Sequence, residues 1–215
     1  MNSAISSIVD TSMTCLTVYC WQHPPVRLCF GMGTENRRAY RSLLTYQNKN
    51  KETGEYCYVT VGTQADDVED YITDVSHFLS NVTSQYVESM IYASNLSAAI
   101  GTKSKLSYSG HSLGGALAVC NSLVTGNSAT TFNPAGISCR LYDFYAETFG
   151  FKGDEANITN YIMQGDIVNI ANLFDKEIGT YHMMYHENGG FGGHSIDNFL
   201  EPTFTFTELL KKIYK

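Results

Sequence analysis

Positive charge is scarce in this chain. The 14 Lys and Arg residues stand against 21 Asp and Glu, leaving a net charge of −7 at pH 7. An acidic balance carries no electrostatic footprint for nucleic acid and no long-range pull toward anionic lipid, so nucleic-acid partners are excluded. Long apolar runs are absent too. Nothing approaches the roughly 18 to 20 consecutive apolar residues that span a bilayer, and no transmembrane segment is expected. The opening residues, MNSAISSIVDTSMTC, contain neither a basic leader nor an apolar core, so no ordinary secretory signal is visible. The expected location is cytoplasmic as synthesised, with signal-independent export left open. No C-x-x-C pair occurs among the six cysteines (Cys15, Cys20, Cys29, Cys57, Cys120, Cys139), which favours free thiols over a disulfide framework. Cys29, Cys57 and Cys120 fall inside apolar runs, where cysteine behaves as a small hydrophobe. With only four prolines, no linker, repeat or low-complexity tract divides the chain, which reads as a single domain over residues 1–215.

What remains is the composition of a compact globular protein, 43% hydrophobic and 16% charged over 215 residues. The pattern alternates. PVRLCFGM (25–32) and GEYCYVTVG (54–62) read as strands, separated by the polar stretch 35–53. Two helices are expected next. One covers 65–81, where Val68, Ile72, Val75, Phe78 and Leu79 recur at helical spacing, and the other covers 84–101, ending on glycine. A strand at 105–109, a helix at 113–124, a strand at 129–134 closed by Pro134 and a strand within 157–166 complete the series. Strands alternating with helices predict an α/β protein with a mostly parallel central sheet and helices on both faces. In that architecture functional residues gather at the carboxyl ends of the strands.

One such end carries YSGHSLGGALAV (108–119), a G-x-S-x-G pattern between a strand and a helix. An alcohol attacks an ester only when its oxygen is lifted clear of its own backbone, and a tight strand-to-helix turn does this by straining the residue at its apex. Gly110 and Gly114 permit the close turn, while Gly115, Ala116 and Ala118 let the helix lie near the sheet. Ser112 is the candidate nucleophile. Its bland alternative is a hydroxyl in a small-residue turn. His111, next to Ser112, cannot fold back onto it as a base and is read as structural.

A serine hydroxyl needs a base, and the base needs a carboxylate to fix its tautomer, in the chain order serine, acid, histidine for an α/β-hydrolase. Asp166 closes the apolar strand NYIMQ and is the leading acid. Its alternative role is to cap the following helix, and Asp154 and Asp175 lie in charged, surface-like segments. His194 in GGFGGHSIDNFL is the leading base, with His182 and His186 in the Met- and Tyr-rich run TYHMMYHEN read as flap or wall. The oxyanion hole is expected at the N–H of Leu113 and at Thr34 in the turn LCFGMGTEN. Carboxylates and histidines do not cluster at ligand spacing, so neither a metal nor another cofactor is expected.

With GHSLGGALA, FGMGTEN, TFNPAG, GDIVN and GGHSIDNF in the places the motifs require, the chain resembles the class 3 lipases over roughly residues 25 to 200. The resemblance implies an α/β-hydrolase fold and hydrolysis of carboxylic esters, commonly of glycerolipids. It implies a triad of Ser112, Asp166 and His194 with Thr34 and Leu113 as the oxyanion hole. Met32 occupies the place where the family commonly has arginine. The lid candidates are 35–53 and 178–193. A lipid ester is thus the expected substrate, as a lipase or a phospholipase A-type enzyme. A short-chain esterase and a non-catalytic lipase-like binding or signalling protein are the alternatives. The C-terminal FTFTELLKKIYK (204–215) has two readings, a packed terminal helix with a basic end or a segment resting peripherally on a membrane surface.

Overall fold

The computed structural model describes residues 15–18, 26–29, 45–49, 54–61, 68–103, 105–166, 168–169, 176–186, 193–199, 203–205 and 211. In chain order the elements are β1 (Cys15–Val18), β2 (Val26–Cys29), β3 (Thr45–Lys49), β4 (Tyr56–Thr60), α1 (Val68–Ile100), β5 (Leu106–His111), α2 (Leu113–Thr125), β6 (Ser128–Phe132), α3 (Cys139–Phe149), β7 (Ile158–Met163), β8 (Thr180–His186) and β9 (Thr203–Thr205). β1 and β2 form an antiparallel pair, and the other seven strands form one sheet in the order β3-β4-β5-β6-β7-β8-β9. The five strands β4 to β8 run parallel, and β3 and β9 pair antiparallel at the edges. This is the α/β architecture with a mostly parallel sheet that the alternating pattern predicts.

Side-chain alternation along the strands divides the core in two. Tyr58 of β4, Tyr108 of β5, Ala129 of β6 and Ile158 of β7 join Tyr86, Met90 and Ala93 of α1, the apolar length of α2 and Tyr145 of α3 in one buried cluster. Each fully buried large apolar side chain there contributes about 1.5–3 kcal/mol relative to exposure. Cys57 and Val59 of β4, Phe132 of β6 and Met163 of β7 meet Phe199 in a second cluster. Residues of even and odd register in β4 thus go to opposite clusters, as a strand's period of two requires. Helical cover is unequal. Among the described residues α1, α2 and α3 contribute to the first cluster, while the second receives the 3₁₀ turn Ile196–Phe199.

Several expectations change. The two helices over 65–81 and 84–101 are one helix, α1, of 33 residues. Nothing between Asn81 and Ser84 is a glycine or proline, so no residue there breaks the backbone ladder; the stop is Gly101, at φ 62°. The polar stretch 35–53 contains β3, and TYHMMYH is not a flap but β8, an interior strand of the sheet. Both lid candidates therefore contribute strands. Phe204 and Thr205, at the start of the C-terminal segment 204–215, belong to β9, paired to β8 through Phe204 opposite Tyr185, while Lys211 is helical and the rest of that segment lies outside the described residues. No sequence expectation covers α3, which starts on Ser138, whose Oγ accepts the Leu141 N–H at 3.3 Å, and stops on Gly150 at φ 63°.

Candidate active site

The site lies at the carboxyl ends of the central strands. β5 ends at His111, and Ser112 forms the corner before α2 with φ 57° and ψ −129°, a conformation that disfavours any side chain. The corner is tight. A Cβ on Gly110 would sit 2.1 Å from the Gly114 carbonyl oxygen, and one on Gly115 would sit 2.8 Å from the Pro134 Cβ. These two glycines are required by close approach. The strain at Ser112 is over-determined by its neighbours: its N–H donates to the Phe132 carbonyl at 3.2 Å, and its carbonyl accepts from the N–H groups of Gly115, Ala116 and Ala135 at 2.9, 3.2 and 2.9 Å. Leu113 is the first residue of α2, so its N–H is one of those that no intrahelical carbonyl reaches, at the positive end of the helix dipole.

Asp166 and His194, 28 residues apart in sequence, meet in the fold. The His194 Nδ1–H donates to Asp166 Oδ1 at 2.7 Å, with Asp166 1% and His194 9% exposed. In the neutral imidazole that bond selects the tautomer with its lone pair on Nε2. The other oxygen, Oδ2, accepts the Asn169 N–H at 2.9 Å. One oxygen of the carboxylate thus caps the backbone that follows, and the other meets His194. Burial with two donors keeps the carboxylate oriented.

Two of the competing residues, Asp154 and His182, have other partners. Asp154 accepts the Ala156 N–H at 2.9 Å and caps the turn Glu155–Asn157. His182 stacks on Tyr161 with ring centroids 5.4 Å apart, and His186 ends β8. Thr34 and Asp175 lie outside the described residues.

Three residues to which the sequence assigns no catalytic part support the corner. Thr60, at the end of β4, places its Oγ1 3.2 Å from the Ser109 carbonyl and 2.5 Å from that of Gly114. Asn133, at φ 42°, accepts the Met163 N–H on Oδ1 at 2.7 Å and directs Nδ2 to the His194 carbonyl at 3.5 Å. An asparagine directly after a strand and before proline is the visible signal for such a left-handed turn. The third is His111, whose Nε2 lies 2.6 Å from the His194 carbonyl oxygen.

The molecule is thus an α/β protein whose mostly parallel sheet carries a strained serine at a strand-to-helix corner and a buried Asp–His pair at the same end. Comparison with known families narrows this. The phospholipase-like family of Tle-like phospholipase domains matches residues 35–207, and the chain belongs to that family. A protein of Serratia liquefaciens described as an extracellular phospholipase A1 is 37% identical over 81 residues, 38% of this chain. The matched region is 25% of that relative's length.

Proposed function

We propose that this protein is a serine carboxylic ester hydrolase that cleaves acyl esters of phospholipids, a phospholipase A-type activity. The observation that carries the reading is the buried 2.7 Å contact between Asp166 and His194 at the same sheet end as the strained Ser112. Membership of a phospholipase family and the similarity to a phospholipase A1 favour a phospholipid over a simple ester. The class 3 lipase resemblance of GHSLGGALA and GGHSIDNF agrees with the same chemistry.

The proposed mechanism has two halves. His194 Nε2 accepts the Ser112 proton as the serine oxygen adds to the ester carbonyl, and Asp166 stabilises the imidazolium so formed. The Leu113 N–H and Thr34 hold the oxyanion, an interaction whose loss typically costs about 10²- to 10³-fold in rate. The imidazolium then protonates the departing lysolipid oxygen, leaving an acyl ester on Ser112. Water loses its proton to His194, attacks the acyl carbonyl and releases the fatty acid, restoring Ser112.

The test is incubation with a mixed panel of phospholipids, triacylglycerols and short-chain esters, with products read by mass spectrometry. Fatty acid and lysophospholipid in equal amounts, absent with Ser112→Ala, are expected. Turnover of short-chain esters alone would replace this reading with a simple esterase. No turnover and no labelling of Ser112 by a fluorophosphonate would leave a non-catalytic binding protein.

A further inference from the structure

The residue before the candidate nucleophile touches the residue read as its base. The His194 carbonyl oxygen can only accept, so the 2.6 Å contact is a bond donated by His111 Nε2–H. The two imidazole rings also pack together, with centroids 4.7 Å apart and planes tilted by 38°. We propose that His111 is a positioning residue for catalysis, one that sets the base His194 against Ser112 by holding its main chain and ring. The inference rests on the triad reading above and adds to it a residue that does not itself touch the reacting atoms.

The physical need comes from the chain that carries His194. It follows Gly189, Gly190, Gly192 and Gly193, and glycine loses more conformational freedom on ordering than any other residue. Asp166 holds the ring at Nδ1, but the ring is placed only as well as the main chain that carries it. A bond to the main-chain carbonyl fixes that backbone, and the packed ring of His111 limits the tilt of the imidazole. His111 supplies it from a rigid base, because it is the last residue of β5 and pairs in register with Phe132 of β6. Asn133 is a weaker partner at the same carbonyl, at 3.5 Å, and is itself tied to β7 through Met163.

The chain position of His111 is what makes this anchor specific. Its Cα is one peptide, about 3.8 Å, from that of Ser112. The corner that strains the nucleophile and the bond that places the base thus share one backbone segment. Any shift of β5 carries both along, so their separation is preserved. Near-attack geometry is sensitive to displacements of about 1 Å, which can cost on the order of 10²-fold.

The test compares three variants. His111→Gln keeps an N–H donor near the Nε2 position, His111→Asn carries the same amide one methylene shorter, and His111→Phe keeps a ring without a donor. Steady-state hydrolysis of p-nitrophenyl butyrate is measured with fluorophosphonate labelling rates, thermal unfolding, and the His194 Nδ1–H resonance in histidine-labelled protein. Turnover is expected to fall about tenfold in the Asn and Phe variants, with KM within about twofold, which is the scale of one lost hydrogen bond. The Gln variant is expected to recover to within about threefold of wild type, and the Nδ1–H resonance to exchange faster in Asn and Phe than in Gln. If the Phe variant does not fold, the Gln and Asn pair decides by the same criteria. Wild-type turnover in His111→Asn, or equal losses in Gln and Asn that follow only their unfolding temperatures, would overturn the proposal. A wild type that fluorophosphonate leaves unlabelled overturns the triad reading and this one with it, whereas a labelled wild type with an indifferent Asn variant overturns this one alone.

Discussion

Asp166 divides its carboxylate between two partners, with Oδ1 accepting from His194 Nδ1 at 2.7 Å and Oδ2 accepting from the Asn169 N–H at 2.9 Å. The first bond serves the candidate base and the second serves the backbone. Substitutions at this position therefore separate activity from stability.

Asp166→Asn retains a capping oxygen, and Asn caps as well as Asp, so stability should change by less than about 1 kcal/mol. Turnover should fall on the order of 10⁴-fold, the loss typical when the aspartate of a serine triad is amidated and the histidine takes the wrong tautomer. Asp166→Ala should lose the same turnover and about 1 kcal/mol of stability as well. Urea unfolding beside ester hydrolysis reads both; an Asn variant with near-normal rates removes Asp166 from the mechanism.

Ser112 sits at φ 57°, where a non-glycine residue costs on the order of 1–3 kcal/mol. Ser112→Gly should be more stable than Ser112→Ala by about 1 kcal/mol or more, and neither should hydrolyse ester. Coinciding urea midpoints for the two would mean that the corner stores no strain.

Gly110 and Gly126 make opposite predictions about space. A Cβ at Gly110 would meet the Gly114 carbonyl at 2.1 Å, a backbone atom that cannot swing aside, so Gly110→Ala should cost at least the roughly 3 kcal/mol at the upper end of over-packing. Gly126 has open space but φ 81°, and Gly126→Ala should cost only about 1 kcal/mol. Folded yield and denaturant midpoints check the ranking. If the Gly110→Ala protein proved as stable as the Gly126→Ala protein, the packed corner would be contradicted.

Burial pushes the Cys57 thiol from 9.0 up to about 11, against a hydrogen bond with Ser107 that pulls it down. Burial raises the Cys120 thiol as well. Both fold with the neutral thiol favoured, so their contribution to stability is complete below 9.0 and is lost as pH rises through the higher folded values. The urea midpoint should decline between about pH 9 and about pH 11. At about pH 8, where reactivity follows the thiolate and access to it, iodoacetamide should modify exposed Cys139 while Cys57 and Cys120 stay protected until unfolding. Peptide mapping of the alkylated protein reports this, and prompt labelling of Cys120 would contradict its burial.

The elbow is legible in the sequence because its requirements are local. Gly110, Ser112, Gly114 and Gly115 encode a corner through the space each residue leaves, and strands at 105–109, 129–134 and 157–166 show through short apolar runs. Two other strands are harder to read. Thr45–Lys49 is polar and Thr180–His186 is rich in Tyr, Met and His, and each becomes a strand by pairing with neighbours in the sheet. The division of 65–101 into two helices fails for a related reason. Apolar spacing reports which face is buried, whereas helix ends are set by glycine, proline and caps, and neither glycine nor proline occurs near Asn81.

The sequence by itself determined the nucleophile candidate, the serine–acid–histidine order and the alternation of strands with helices, since these depend on residue type and short spacing. Only the tertiary structure decided which acid meets which histidine, because Asp166 and His194 stand 28 residues apart and no local pattern joins them. It also decided the place of His111. Adjacent to Ser112, that residue cannot fold back onto the serine as its base, and its contact with His194 exists only because the fold brings two chain segments 83 residues apart within one hydrogen bond.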